Sequence, residues 1–335
     1  MNKKYVIVSL VLACALILST GVALAGKNPP EQPSATLLVS GLDGATGSTI
    51  GPDGALYVTE GAAGRVSRVD PQTGEKTTFA SGLPTRVIDF YIGGAVDVAF
   101  LDGTAYVLVT LVGPDLGGHS IVGIYRMDGP DSFTAIADIG QWSIDNPPPP
   151  TTTYDVPTGV QFALEPYRGG FLVTDGHHNR VLFVTLDGEI SQLIQFDNVV
   201  PTGLETWGSK VLVSQVGPVP HLPETGKVVM FKPMKSHTAK EIGSGAPLLI
   251  DVEFGRGHKL YALSQGDYSG GIEGDPALPN TGAIVRVNKD GTFTEIVDKL
   301  NRPTSFEFIG DSAFVVTLGV EIWRIDGIPG PSSGK

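Results

Sequence analysis

An apolar triplet set between turn residues returns along this chain at intervals of about 50 residues, and that recurrence restricts the fold more than any other feature. Its clearest copy is Leu56-Tyr57-Val58, entered through the turn Pro52-Asp53-Gly54 and left through the Gly-rich break Gly61 to Gly64, after which Val66-Ser67-Arg68-Val69 alternates like a half-buried strand. Weaker copies are Ala105-Tyr106-Val107, Phe171-Leu172-Val173, Val211-Leu212-Val213, Leu260-Tyr261-Ala262 and Ala313-Phe314-Val315. Each is a hairpin. A chain of 335 residues with 44 Gly, 25 Pro and only 17% charged residues suits an array of short strands joined by tight turns, and helical periodicity is absent beyond the first residues.

The segments after each second hairpin strand read as outermost strands of four-stranded units: Lys76 to Leu83, Phe133 to Ile139, Ile190 to Phe196 and Phe293 to Leu300. The last unit has three strands, Thr304 to Phe308, Ala313 to Thr317 and Val320 to Ile325, and then a Gly/Pro/Ser tail over 328–335. Ala35 to Leu42 supplies the missing fourth. The expectation is an all-β, six-bladed β-propeller over 35–327 whose N-terminal strand pairs with the last blade and closes the ring, removing exposed sheet edges.

Lys3 and Lys4, the apolar run Val6 to Leu18 and the small-x-small site Ala23-Leu24-Ala25 read as a signal peptide over 1–25, followed by a Pro-rich flexible lead over 26–34. That implies a secreted or periplasmic protein with no stable membrane span after cleavage. Lipidation at Cys14 and retention of the segment as an anchor stay open. Cys14 is the sole cysteine, so the mature chain has neither disulfide nor thiol nucleophile. The net charge of -12 argues against nucleic acid and favours a small neutral or cationic ligand, a metal ion or a protein partner. A monomer is expected.

The first strands of the units align as TGSTI at Thr46, VDVAF at Val96, TGVQF at Thr158, TGLET at Thr202, IDVEF at Ile250 and TSFEF at Thr304. Four of them carry Gly or Ser second, whereas units two and five carry Asp97 and Asp251. In a ring of six these two carboxylates face each other across the channel mouth. They either bond neighbouring backbone or hold a cation, and calcium suits such oxygens. The long connections, from Leu111, Gln141, Gly217 and Gln265, all emerge where the first strands begin, while the opposite loops are tight. That face carries the candidate ligand-binding residues His119, Trp142, Asp175, His177, His221 and Asp267. His177-His178 lies in a hairpin turn, where adjacent side chains diverge, so a structural or exposed role is expected there. No nucleophile elbow, P-loop, dinucleotide fingerprint, H-E-x-x-H or EF-hand pattern is present, so no catalytic residue is assigned and no cofactor is required.

The series SGLDGATGSTIGPDGALYVTEGAAGRVSRVD, GGAVDVAF, PTGVQF, LIDVEF and TGAIVRVNKDG resembles the ScyD/ScyE family of secreted bacterial propellers over nearly the whole mature chain. Residues Pro157 to Ile190 also resemble an NHL repeat, with Asp175, Asn179 and Arg180 at its turn positions. The resemblance implies an exported module that binds a ligand or protein, ancillary to an extracytoplasmic pathway. A more distant resemblance to SMP-30/gluconolactonase and strictosidine-synthase-like propellers implies a metal-dependent hydrolase, lactonase or lyase with its site in the channel. Here Asp97 and Asp251 are the expected metal-binding carboxylates, and Gly47 stands where a further acid would be welcome. A cell-surface interaction module is the third expectation.

Overall fold

The computed structural model describes residues 33–331, apart from Phe90, residues 234–237 and Glu273. The expected signal peptide over 1–25 with Cys14, most of the expected lead over 26–34 and residues 332–335 lie outside the described residues.

Among the described residues twenty-three strands form five antiparallel sheets. One sheet has seven strands. It contains β1 (Ser34–Ile50), β2 (Leu56–Glu60), β3 (Arg65–Val69) and β4 (Lys76–Ala80) on one side, and β21 (Pro303–Ile309), β22 (Ser312–Thr317) and β23 (Gly319–Asp326) on the other. The remaining sheets have four strands each. They are β5 (Gly94–Leu101), β6 (Thr104–Thr110), β7 (Gly123–Gly129) and β8 (Ser132–Asp138); then β9 (Gln161–Tyr167), β10 (Gly170–Asp175), β11 (Arg180–Thr185) and β12 (Ile190–Gln195). Next come β13 (Val200–Trp207), β14 (Lys210–Val216), β15 (Lys227–Phe231) and β16 (Lys240–Ser244), and finally β17 (Leu249–Gly255), β18 (Lys259–Ser264), β19 (Gly282–Val287) and β20 (Phe293–Leu300).

The seven-stranded sheet owes its width to β1, which serves two neighbours in succession. Its first half pairs with β23, with Ala35 opposite Ile325 and Ser40 opposite Glu321; its second half pairs with β2, with Ser48 opposite Val58. The register shifts between Ser40 and Ala45, where the strand passes from one neighbour to the other. The sequence splits this stretch into an outer and an inner strand, and the structure joins them into one of 17 residues.

Within each sheet the strands follow chain order, as short hairpin turns dictate. The strands β1, β5, β9, β13, β17 and β21 each touch the next, and β21 touches β1. Apolar residues fill the spaces between neighbouring sheets, because both faces of every sheet are covered and strand interiors read as continuous buried runs. The recurring aromatic of the hairpin triplet supplies part of that filling: Tyr57 meets Phe100 at 4.8 Å, Tyr106 meets Phe171 at 4.7 Å and Tyr261 meets Phe308 at 5.4 Å. The arrangement is that of a β-propeller.

Three local departures from the sequence reading bear on function. A short helix, α1 (Ile139–Asp145), occupies the connection after β8, capped by Asp138, whose Oδ1 accepts the Gln141 N–H at 2.8 Å. Strand β9 starts at Gln161, so Thr158 and Gly159 precede it and the proposed TGVQF strand is displaced. Residues Ile328 to Gly330, expected in a flexible tail, are fixed: Ile328 is buried, Arg256 N–H donates to Pro329 O and Gly330 N–H to Gly310 O. Among the described residues no helix is long and apolar enough to cross a membrane.

Candidate active site in the central channel

The six strands that touch in sequence line a common cavity of about 50 Å³. Alternation puts residues i and i+2 of a strand on one face, so Asp251 brings Glu253 with it. Asp97 on β5, Glu165 on β9, Asp251 and Glu253 on β17 and Glu307 on β21 all line the cavity, and none of the described lining residues is Lys or Arg. Glu205 on β13 is buried beside them and raises the proton affinity of Asp251. Asp97 and Asp251, the pair expected to face each other, do feel each other's charge.

Each aspartate also holds the neighbouring strand. Asp97 Oδ2 accepts the Leu164 N–H at 2.7 Å and Oδ1 accepts the Val98 N–H at 2.8 Å. Asp251 repeats this on the other side, with Phe306 N–H at 3.0 Å and Val252 N–H at 2.9 Å. Glu205 Oε2 accepts the Phe254 N–H at 3.3 Å, and Glu165 Oε1 accepts the Thr206 hydroxyl at 3.0 Å. Elsewhere hydroxyls make the connection: Thr46 donates to Val96 O, Thr202 to Leu249 O and Thr304 to Thr46 O, each at 2.8 Å. The inner strands are thus stitched by side-chain hydrogen bonds at every junction.

Glu253 and Glu307 differ from the aspartates, since neither carboxylate takes part in such a stitch among the described residues. Burial, reinforced by the charges of Glu205 and Glu307, holds the Glu253 carboxyl well above the ordinary glutamate range. Burial and the charges of Asp251, Glu165 and Glu205 do the same to Glu307. Asp97 is likewise pushed well above its ordinary value, chiefly by burial, and Asp251 is pushed up to about 7 by burial and Glu205. Phe162 on β9 also lines the cavity and packs against the apolar cluster that includes Ile250 and Phe306 on the opposite side of the channel. It narrows the space in front of the acids.

The four glutamates escape a reading that compares only the second residue of each first strand. The signal was present in TGLET, IDVEF and TSFEF, where an acid stands two residues further on. In the third unit the displaced alignment hid Glu165, because β9 puts Ala163, not Gly159, at the place equivalent to Asp97, with Glu165 two residues further on.

The loop-face candidates do not converge on the channel. Asp175 is fully buried and binds His178 and Arg180, at 2.9 and 3.0 Å. Burial raises its proton affinity, but these partners outweigh burial and hold it below the ordinary range. Arg180 donates further to Asn146 O and Ser143 Oγ and lies 4.9 Å from the Trp142 ring, so this group pins α1. His178 is therefore structural, as expected for the turn, but buried rather than exposed. His221 is buried with Nδ1 2.6 Å from Gly217 O, and its ring meets Tyr268 at 5.2 Å. His119 and Asp267 are exposed on separate connections.

The distant family resemblance implies a divalent metal here. The donors are hard oxygens, yet among the described residues no three His, Cys, Asp or Glu side chains form a ligand set. Both oxygens of Asp97 and of Asp251 are already engaged by backbone N–H groups. The residues do not fit a resident metal cage.

These features define the class as a β-propeller with an acid-lined axis. Solved structures of the same fold include a gluconolactonase from Xanthomonas campestris, 13% identical, covering 88% of this chain and 89% of that one with a TM-score of 0.60. A putative glucose dehydrogenase from Thermus thermophilus is 17% identical over 88% of this chain and 99% of that one, with a TM-score of 0.60. Virginiamycin B lyase from Staphylococcus aureus is 13% identical over 88% and 99%, with a TM-score of 0.55. The fold is SMP-30/gluconolactonase-like. No protein-family model and no curated protein sequence matches the chain.

Proposed function

We propose that the protein is an exported hydrolase or lyase of the lactonase type that works at the mouth of its central channel by carboxylate acid–base chemistry. The carrying observation is the set of channel carboxyls with raised proton affinity, without a lining cation to neutralise them. Gluconolactonase and virginiamycin B lyase among the structures of similar fold support the reaction class. In this reading the seven-stranded sheet is two blades sharing β1, the blades number six, and the N-terminal half of β1 closes the ring. A ScyD/ScyE-type exported propeller is the family setting we favour.

At neutral pH a cluster in which Asp251 titrates at about 7, with Glu253 and Glu307 held well above the ordinary glutamate range, holds protonated and ionised carboxyls side by side. A protonated glutamate can deliver a proton to a leaving oxygen while an ionised neighbour draws one from water or from a carbon beside a carbonyl. A cavity of about 50 Å³ admits water but not a sugar-sized ring, so the reacting bond sits at the mouth. The aspartates lie nearer the long-loop end than the glutamates, because they come earlier in strands that start there. The acidic wall selects neutral, hydroxyl-rich substrates over anions.

The test is a pH-stat assay of lactone opening with aldonolactones, using the mature chain with and without added calcium. The expected result is turnover above the uncatalysed rate, a pH profile with a limb near 7, and a loss of about 10²-fold or more in Glu253→Gln and Glu307→Gln. Equal rates in wild type and both variants would overturn the proposal and favour a binding module.

A further inference from the structure

The long connections build a second cavity that the channel chemistry does not use. It measures about 240 Å³ and lies between the β6–β7 connection and α1. Its walls are fixed by main-chain and side-chain bonds. Asp115 Oδ2 accepts both the N–H and the hydroxyl of Thr158, at 3.1 and 2.8 Å; Ser120 N–H donates to Val112 O, and Gly140 N–H donates to Val122 O. The fit around Gly118 is close enough that a Cβ there would stand 1.9 Å from Val112 O. The site is preformed rather than a gap between mobile loops.

Its chemistry is two-sided. Ile121 and Ile144, 40% and 46% exposed, offer an apolar rim on the two connections. Asp115 and Asp138 supply two carboxylates, His119 and Gln141 further polar groups, and none of the described lining residues is Lys or Arg. One oxygen of each aspartate is engaged internally, by Thr158 and by the Gln141 N–H. The second oxygen of each makes no hydrogen bond among the described residues.

We propose that this cavity is a binding site for a small organic cation, an amine with a compact apolar or aromatic body. The body spans Ile121 and Ile144, and the ammonium group meets the aspartates, where a carboxylate-bearing molecule of the same shape is repelled. The site is separate from the channel in residues and in ligand charge.

The experiment uses 2-phenylethylamine, 3-phenylpropionate and 2-phenylethanol as probes of matched body and different charge, titrated into the mature protein by calorimetry and followed by ligand-observed NMR. The amine is expected to bind, with the alcohol at least 5-fold weaker and the carboxylate not detectable. Ile144→Ser and Ile121→Ser are exposed changes that leave folding intact, and each is expected to weaken the amine at least 3-fold. Asp138→Asn is expected to weaken the amine and leave the alcohol unchanged, a pattern that mere loss of the α1 cap would not give. Equal binding of the three probes, no binding of the amine, or amine binding that is lost in Glu253→Gln but kept in Ile144→Ser would overturn it. Lactone turnover unchanged in Ile144→Ser separates this site from the channel.

Discussion

Gly47 and Gly203 are as necessary to the channel as the acids, although they contribute no atoms to chemistry. A Cβ on Gly47 would lie 2.3 Å from Asp97 Oδ1 and 2.5 Å from Val96 O; one on Gly203 would lie 2.5 Å from the Asp251 Cα. The glycine of one strand makes room for the aspartate of the next. Alanine at either position forces two inner strands apart and is expected to cost about 1–3 kcal/mol in denaturant unfolding. A wild-type unfolding midpoint in Gly203→Ala would show that the strands separate freely. Asp97 and Asp251 were legible because they break a run of small residues. Glu165 was not, because Thr158-Gly159 imitates Thr46-Gly47 and Thr202-Gly203. Gly159 instead has φ of +78° and closes a turn onto Val156 O before the strand begins. A dipeptide cannot reveal which of two backbone conformations it adopts.

At the scale of elements, β1 is the part on which the rest leans. At its crossover the Asp43 N–H donates to Glu60 Oε2 at 2.7 Å, and the same carboxylate binds Arg65 and Ser67. Glu60 is buried, which opposes its ionisation, yet these partners hold it below the ordinary range. Glu60→Ala is expected to cost roughly 1.5–3 kcal/mol, since a charge-assisted bond to the strand backbone is lost. Removing Ser34 to Gly41 leaves β23 with an open edge opposite Ile325 and Trp323. That truncation is expected to unfold at markedly lower denaturant and to aggregate, as read by light scattering; retention of the wild-type midpoint would dismiss β1 as the closing element. The pairing was readable from the sequence, because the last repeat visibly lacks a strand. Helix α1 was not. Its seven residues are too few for periodicity to register, and it is held by Arg180, 37 positions along the chain from the Ser143 it binds.

Across the whole molecule the second positions of the inner strands read Gly47, Asp97, Ala163 and then Gly203, Asp251, Ser305, so the two halves repeat each other in order. The hydrogen bonds repeat too: Gly47 N–H to Thr59 Oγ1 matches Gly203 N–H to Ser214 Oγ, and the stitches made by Asp97 match those made by Asp251. The fourth positions break this symmetry, with Thr49 and Ala99 on one side and Glu165, Glu205, Glu253 and Glu307 on the other. The acid wall is therefore one-sided and its charges add rather than cancel. Asp251 keeps its proton up to about 7 in the fold but only to about 4 in the unfolded chain, so between those values the folded form binds more protons. The stability this supplies is complete below the unfolded value and is lost as pH rises through about 7; Glu253, Glu307 and Asp97, also raised, contribute in the same sense. Asp175 works in the opposite sense, its contribution falling away only as pH drops below the ordinary carboxylate range. The melting temperature is accordingly expected to be highest near pH 5 and to fall by at least about 5 °C by pH 8, with the slope reduced in Glu253→Gln together with Glu307→Gln. Calorimetry across that range at fixed ionic strength, in chelator, decides it. A melting temperature that holds steady or climbs from pH 5 to pH 8 would mean that the channel carboxyls ionise without penalty, and the acid–base division of labour proposed for them would fall with it.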